Sequence, residues 1–191
     1  MALTKVDIAN RALLRLDAET ISSFDDGSDA ANVLAQLYDH TYLLVLTERA
    51  WNFAITDREL AQDATAPTDP NWTYQYLLPS DYLNVVRYYG SGGGEITRYS
   101  RQGDRVLTNH STLFIKYTRK PDENELPPWF VNYLVLAVAH TIAEAVVAEG
   151  SVQDRIAAEL RSARITAFKQ DQREEVPGNA LAPSSYVAVR F

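Results

Sequence analysis

Apolar residues return at helical spacing in four stretches of the chain and at strand spacing in the block between them. Val6, Ala9, Leu13 and Leu16 recur every three or four positions, which lines one face of a helix over 4–17. Thr4 precedes that run as an N-cap with Asp7 three positions on, a capping box with Asp in place of Glu. A polar connector, 20–29, carries two apolar residues, Ile21 and Phe24, placed to pin it to a core. Ser28 caps a second helix over 28–50, whose face is Ala31, Leu34, Leu37, Tyr38, Thr41, Tyr42 and Val45. At 50–55 the period changes. Trp51, Phe53 and Ile55 fall on alternate positions, as on a short strand or an extended exit from the helix.

Pro67 and Pro70, with no period around them, make 64–71 an exposed loop. The block 72–119 is β-rich. Segments 72–78, 83–89, 95–100, 105–108 and 112–119 hold Tyr, Val, Ile and Thr between turn residues, which predicts a meander of four or five short strands. Pro127 and Pro128 then stand at the start of a helix over 128–149 that is apolar nearly all round and is expected to be buried on several sides. Gly150 is expected to end it and Ser151 to cap a last helix over 151–173. There Val152, Ile156, Leu160, Ala163 and Ala167 oppose a basic face of Arg155, Arg161, Arg164, Lys169 and Arg173. The fold class is therefore α+β: about four helices in a bundle with an inserted small antiparallel sheet. It makes a single domain over 1–175, followed by an extended tail, 176–191.

Composition narrows the function. At 191 residues the chain can bury a core without covalent staples, and the absence of cysteine excludes disulfides, thiolate metal sites and cysteine nucleophiles. A net charge of −7 argues against a protein whose main work is gripping nucleic-acid phosphates. No apolar run is read as approaching the roughly 18 to 20 residues of a membrane span. Asp7 and Asn10 interrupt any signal-peptide core, so the expected location is cytoplasmic.

Candidate chemistry is sparse. His40, His110 and His140 lie far apart with no ligand at metal spacing, and His140, within the apolar helix, reads as a hydrogen-bonded core or interface residue. The run 90–94 holds four of the eight glycines, but Glu95-Ile96-Thr97 follows it, where a phosphate loop needs Lys-Ser/Thr and a helix. It reads as a mobile hairpin tip that orders on a partner. The acidic stretches at 25–29 and 122–125 lack the order of a calcium loop and read as solvated carboxylates near helix N-termini. No catalytic residue, cofactor or metal is expected. Tyr74, Tyr76, Tyr82, Tyr88, Tyr89 and Tyr99, with Trp72, crowd the β block, either as an interface or as ordinary packing on the helices. The alternation in Tyr186, Val187, Ala188, Val189 and Phe191 suits strand addition to a neighbouring sheet edge, against the alternative of a tail without fixed structure. The basic face of the last helix is a solvated face or a contact for an acidic partner or nucleic acid. The second use would make the chain a cytoplasmic α+β nucleic-acid-binding regulator.

Several motifs, in order, resemble one family. They are Asn10-x-Ala12-Leu13, Asp29-Ala30-Ala31, and Trp51-Asn52-Phe53-Ala54 with Arg58-x-Leu60. Tyr74-x-Tyr76-x-x-Pro79-x-Asp81-Tyr82-Leu83 follows, then a strand ending at Tyr117, then Leu126-Pro127-Pro128-x-Phe130. From about Asn10 to Arg173 the chain resembles the head-to-tail adaptor (connector) proteins of tailed bacteriophages and gene-transfer particles, of the tail tubular protein A type. Where that family leads one to expect glycine, near the end of the first helix and before the tryptophan, this chain has Asp17 and Ala50. The resemblance implies a non-enzymatic homo-oligomeric ring, usually of twelve copies, at the head-tail junction of a virion assembled in the host cytoplasm. Its partners would be the portal protein and a tail tube, nozzle or stopper protein, with DNA passing through the channel without specific binding and no membrane contact. On that reading Trp129, Phe130 and Tyr133 lie at the subunit interface. Gly90, Gly92, Gly93, Gly94, Tyr88 and Tyr89 face the tail component, and Tyr186, Val187, Val189 and Phe191 reach the portal.

Overall fold

The computed structural model describes residues 2–147 and 149–174. Four helices and two small antiparallel sheets make an α+β fold. Helix α1 (Lys5–Arg15) begins at the predicted capping box: the Asp7 N–H donates to Thr4 Oγ1 at 3.2 Å and the Thr4 N–H to Asp7 Oδ2 at 2.9 Å. It ends in a Schellman turn. Asp17 takes φ 55° and donates to the Leu14 carbonyl, and the Ala18 N–H reaches back to Leu13 O at 3.1 Å. The left-handed residue thus falls where the adaptor family would carry glycine. Asn10 then clamps the connector: its Nδ2 donates to Ile21 O at 2.9 Å while the Ile21 N–H donates to its Oδ1 at 2.8 Å.

Helix α2 (Asp29–Thr47) starts at Ser28, whose Oγ accepts from the Ala31 N–H. Asp26 organises that cap, accepting Ser28 Oγ–H at 2.7 Å and the N–H groups of Ser22 and Ser28. After α2 the alternating residues do not form a strand. Asn52–Ala54 is a 3₁₀ turn and β1 (Ile55–Glu59) starts only at Ile55. The indole Nε1–H of Trp51 donates to Val45 O at 2.9 Å, which folds the chain back over the end of α2 and buries the ring completely.

The β block consists of two sheets. β6 (Phe114–Arg119) lies between β1 and β3 (Tyr82–Tyr89), and β5 (Arg105–Thr108) between β2 (Tyr74–Leu77) and β4 (Ser100–Gln102). The predicted meander is therefore corrected to β1-β6-β3 and β2-β5-β4, and of 95–100 only Glu95, in one bridge to Tyr89, and Ser100 pair. Residues 60–63 tie the sheets together, with Leu60 bonded to Leu113 and Asp63 to Gln75. Between the sheets lies a core separate from the helical one, holding Leu60, Tyr76, Tyr88, Val106, Ile115 and Tyr117. The tyrosine crowding is thus largely internal packing. β3 carries two bulges, where Leu83 and Val86 are extra residues opposite β6. Without the second, Arg87 would pair with Ile115 and enter this core. With it, Tyr88 takes that place and Arg87 turns to the opposite face beside Lys116.

Helix α3 (Pro128–Val146) begins with proline at its first turn and packs against α1, α2 and α4 (Gly150–Glu174). Eleven of its nineteen residues are buried. By length and mean hydropathy, 1.4, it meets the requirement for a membrane span, contrary to the expectation from sequence, and 61% of that stretch is buried inside the protein. Its apolar faces are covered by the chain's own helices, so they do not by themselves call for a neighbouring subunit. α3 ends at an extended Val147, and Gly150 opens α4, with Glu149 O accepting from Val152 and Gln153. Gly150 therefore starts a helix where it was expected to end one.

Candidate functional site

Trp51 is the hub of an aromatic cluster where α2, α3 and α4 meet the β block. Its ring centre lies 5.1 Å from that of Phe130, 5.5 Å from Phe168, 5.9 Å from Trp129 and 6.2 Å from Tyr133. Phe130 is 0% and Tyr133 5% exposed, so the predicted subunit-interface pair faces Trp51 in the chain's own core, and only Trp129 of the three is half-exposed. The Tyr133 hydroxyl donates to Glu48 at 2.5 Å, and burial, with the Glu48 carboxylate beside it, pushes that phenol well above its ordinary range.

Next to the hub, Asp171 of α4 is fully buried. Its Oδ1 accepts the Asn52 N–H at 2.8 Å, its carbonyl accepts Asn52 Nδ2–H at 2.8 Å, and its Oδ2 lies 3.0 Å from the Arg49 guanidinium. A buried carboxylate needs such a set of partners. The Trp51-Asn52-Phe53 motif is therefore a structural joint: Trp51 fills the core and Asn52 fastens the far end of α4.

An open cleft of about 840 Å³ separates this joint from the outer face of the first sheet. On its helical wall the guanidiniums of Arg49 and Arg164 each lie over the Phe168 ring, 5.3 and 5.2 Å from its centre. Both are compensated, Arg49 by Asp171 and Arg164 by Glu48. On the sheet wall stand Ile55, Val86, Arg87 and Lys116, with Glu174 at the rim. Arg87 and Lys116 are register partners on one face, and neither forms an ion pair among the described residues. The Arg87 guanidinium lies over Tyr89 at 5.1 Å. Asp57, in register with Lys116 on its other side, accepts the Tyr89 hydroxyl at 3.0 Å instead. None of Arg49, Arg87 and Lys116 stood out in the sequence. The available signal was the run Val85-Val86-Arg87-Tyr88, which cannot alternate correctly without a bulge.

The other sequence candidates disperse. Residues 91–95 are exposed around a hydrogen-bonded turn, Gly90 N–H to Gly94 O at 3.0 Å, with Gly93 at φ 76°. Tyr88 points away from this tip into the second core, 2% exposed, and burial pushes its phenol up to about 12. This removes it from the tail-facing set. Tyr89 stacks on Phe114 at 5.3 Å. His140 is exposed, not a core residue. On α4, Arg155 pairs with Glu159 and Asp17, and Arg164 with Glu48. The predicted basic face therefore keeps Arg161, Lys169 and Arg173 free of ion pairs among the described residues, with Ile165, 55% exposed, between the first two. Elsewhere, Leu14 is 62% exposed beside a groove of about 600 Å³ lined by Leu3, Leu126, Val131 and Val135. No His, Asp or Glu cluster among the described residues could hold a metal. The tail residues Tyr186, Val187, Val189 and Phe191 lie outside the described residues.

In comparisons with known proteins, no protein-family model matches the chain and no curated protein matches it.

Proposed function

We propose that this chain is a structural head-to-tail adaptor of a tailed phage or phage-like particle. It would act without catalysis, as one subunit of a ring that joins portal to tail around the DNA. One observation carries the reading. Two of the motifs that carry the resemblance, Trp51-Asn52-Phe53 and Leu126-Pro127-Pro128-x-Phe130, flank the β block and meet in space, with Phe53 and Phe130 ring centres 4.7 Å apart. Residues matched in order along the sequence thus belong to one packed joint.

In a ring, neighbouring copies cover two different patches of each subunit. With Phe130 and Tyr133 used internally, lateral contact falls to outward side chains, and one of the two patches would be Leu14 with the groove beside it. The 90–94 tip, exposed on the β block, would face the tail component. A net charge of −7 suits a channel that lets DNA slide.

The test is the mass of the purified full chain in solution, alone and mixed with a portal protein. A closed multimer, free or portal-bound, is expected. A monomer that binds duplex DNA with steep salt dependence would replace this reading with the regulator, for which Arg161, Lys169 and Arg173 remain.

A further inference from the structure

We propose that the cleft between the helical joint and the first sheet is a docking site for an acidic peptide segment of a partner protein, one in which carboxylates alternate with apolar side chains. The site goes beyond the adaptor role and does not depend on ring formation. Three observations converge on it.

The first is the cross-strand pair Arg87 and Lys116. Like charges opposite each other in an antiparallel pair destabilise a sheet, and neither cation has a carboxylate at ion-pair distance among the described residues. Asp57, in register with Lys116, keeps its charge while it accepts the Tyr89 hydroxyl, so the three side chains together carry one positive charge in excess. The second is the bulge at Val86, which adds one residue to β3 and so brings Arg87 out of the buried face and onto the cleft. A bulge that re-aims a side chain beside a cavity is a feature of binding and catalytic sites. The third is the mixed lining. Val86, 41% exposed, and Ile55 put apolar surface beside Arg87 and Lys116 on the sheet wall.

That lining decides between two anionic partners. A nucleic-acid backbone needs a row of cations along its phosphates and makes no use of apolar neighbours, and the sheet wall offers only Arg87 and Lys116. A peptide offers both halves of the match, a carboxylate for Arg87 and Lys116 and an apolar side chain for Val86 and Ile55.

The experiment is fluorescence anisotropy on the full chain with a labelled peptide of alternating glutamate and leucine. A glutamine-for-glutamate peptide and a short duplex DNA serve as comparison probes. Saturable binding of the acidic peptide is expected, lost with the glutamine peptide. Arg87→Gln with Lys116→Gln is expected to weaken it about tenfold, while its thermal midpoint stays level or rises because the like-charge pair is gone. Arg161→Gln with Lys169→Gln removes the same charge elsewhere and is expected to leave binding unchanged. The proposal is overturned by absence of saturable peptide binding, by equal binding to the Arg87/Lys116 double variant, by equal loss in the Arg161/Lys169 control, or by tighter binding of the duplex than of the peptide.

Discussion

Asn52 holds Asp171, 119 positions away, at two points: its backbone N–H on the carboxylate and its side-chain amide on the carbonyl, both at 2.8 Å. Arg49 completes the set. Replacing Asp171 by alanine would strand a buried N–H and a half-buried guanidinium together, and is expected to cost about 3 kcal/mol. Asn52→Ala keeps the backbone bond and should cost about 1 kcal/mol. Urea unfolding of the two single variants and the double checks this. Because the residues share one network, the double variant should lose less than the two single losses combined.

Asp17 closes the Schellman turn at φ 55°, a conformation that glycine takes without a Cβ penalty. Asp17→Gly should therefore stabilise the chain by about 1 kcal/mol, and Asp17→Val should destabilise it by a similar amount. The Arg155 contact that the glycine variant loses is 3.6 Å long and to a largely exposed carboxylate, so it offsets little. Thermal melts of the two variants should move in opposite directions.

Asp26 has its carboxyl lowered from the ordinary 3.8 to about 2, chiefly by the Ser28 hydroxyl and then by backbone N–H groups. A group with a depressed folded-state value stabilises the fold above its ordinary value. That contribution fades as pH falls toward the depressed one. Stability should thus decline between 3.8 and about 2, helped by Asp7 held down by Thr4, Asp39 by Lys5 and Asp63 by the Thr65 N–H. Urea midpoints across this range should differ between wild type and Asp26→Asn at the upper end and converge at the lower.

Leu14 and Phe130 should separate assembly from folding. Phe130→Ala empties a fully buried site and is expected to cost about 3 to 5 kcal/mol whatever the oligomeric state. Leu14→Asp changes a side chain that is 62% exposed and should alter stability by no more than about 0.5 kcal/mol. If copies meet on that face, the variant sediments as a smaller species than wild type.

Features set by neighbours in sequence were legible without the structure. The Thr4 and Ser28 caps and the proline start of α3 depend on residues within about one turn of one another, and Ile21 and Phe24 showed as apolar residues in a polar connector although their partners, Asn10 and Tyr38, lie further off. The alternation of Trp51, Phe53 and Ile55 misled because the Trp51 indole finds a carbonyl on α2, a contact that periodicity does not encode. The sheet order was hidden because β6 slots between β1 and β3 across a long stretch of intervening chain. The tyrosines looked surplus because one sheet was expected, whereas two sheets facing each other bury Tyr76, Tyr88 and Tyr117. The cleft was least visible of all. Its cations come from the turn after α2 and from β3, β6 and α4, and one of them faces it only because of a single inserted residue.

Ile55 pairs with Thr118, so the chain enters and leaves the β block through adjacent strands. Apart from Leu83, which packs on the helical core, the helices meet this long excursion through one adjacent pair of strands, and a loop's closure cost rises only slowly with the residues it holds. A bundle wired in this way can keep its packing while the block beyond is lengthened, trimmed or re-shaped for a different partner.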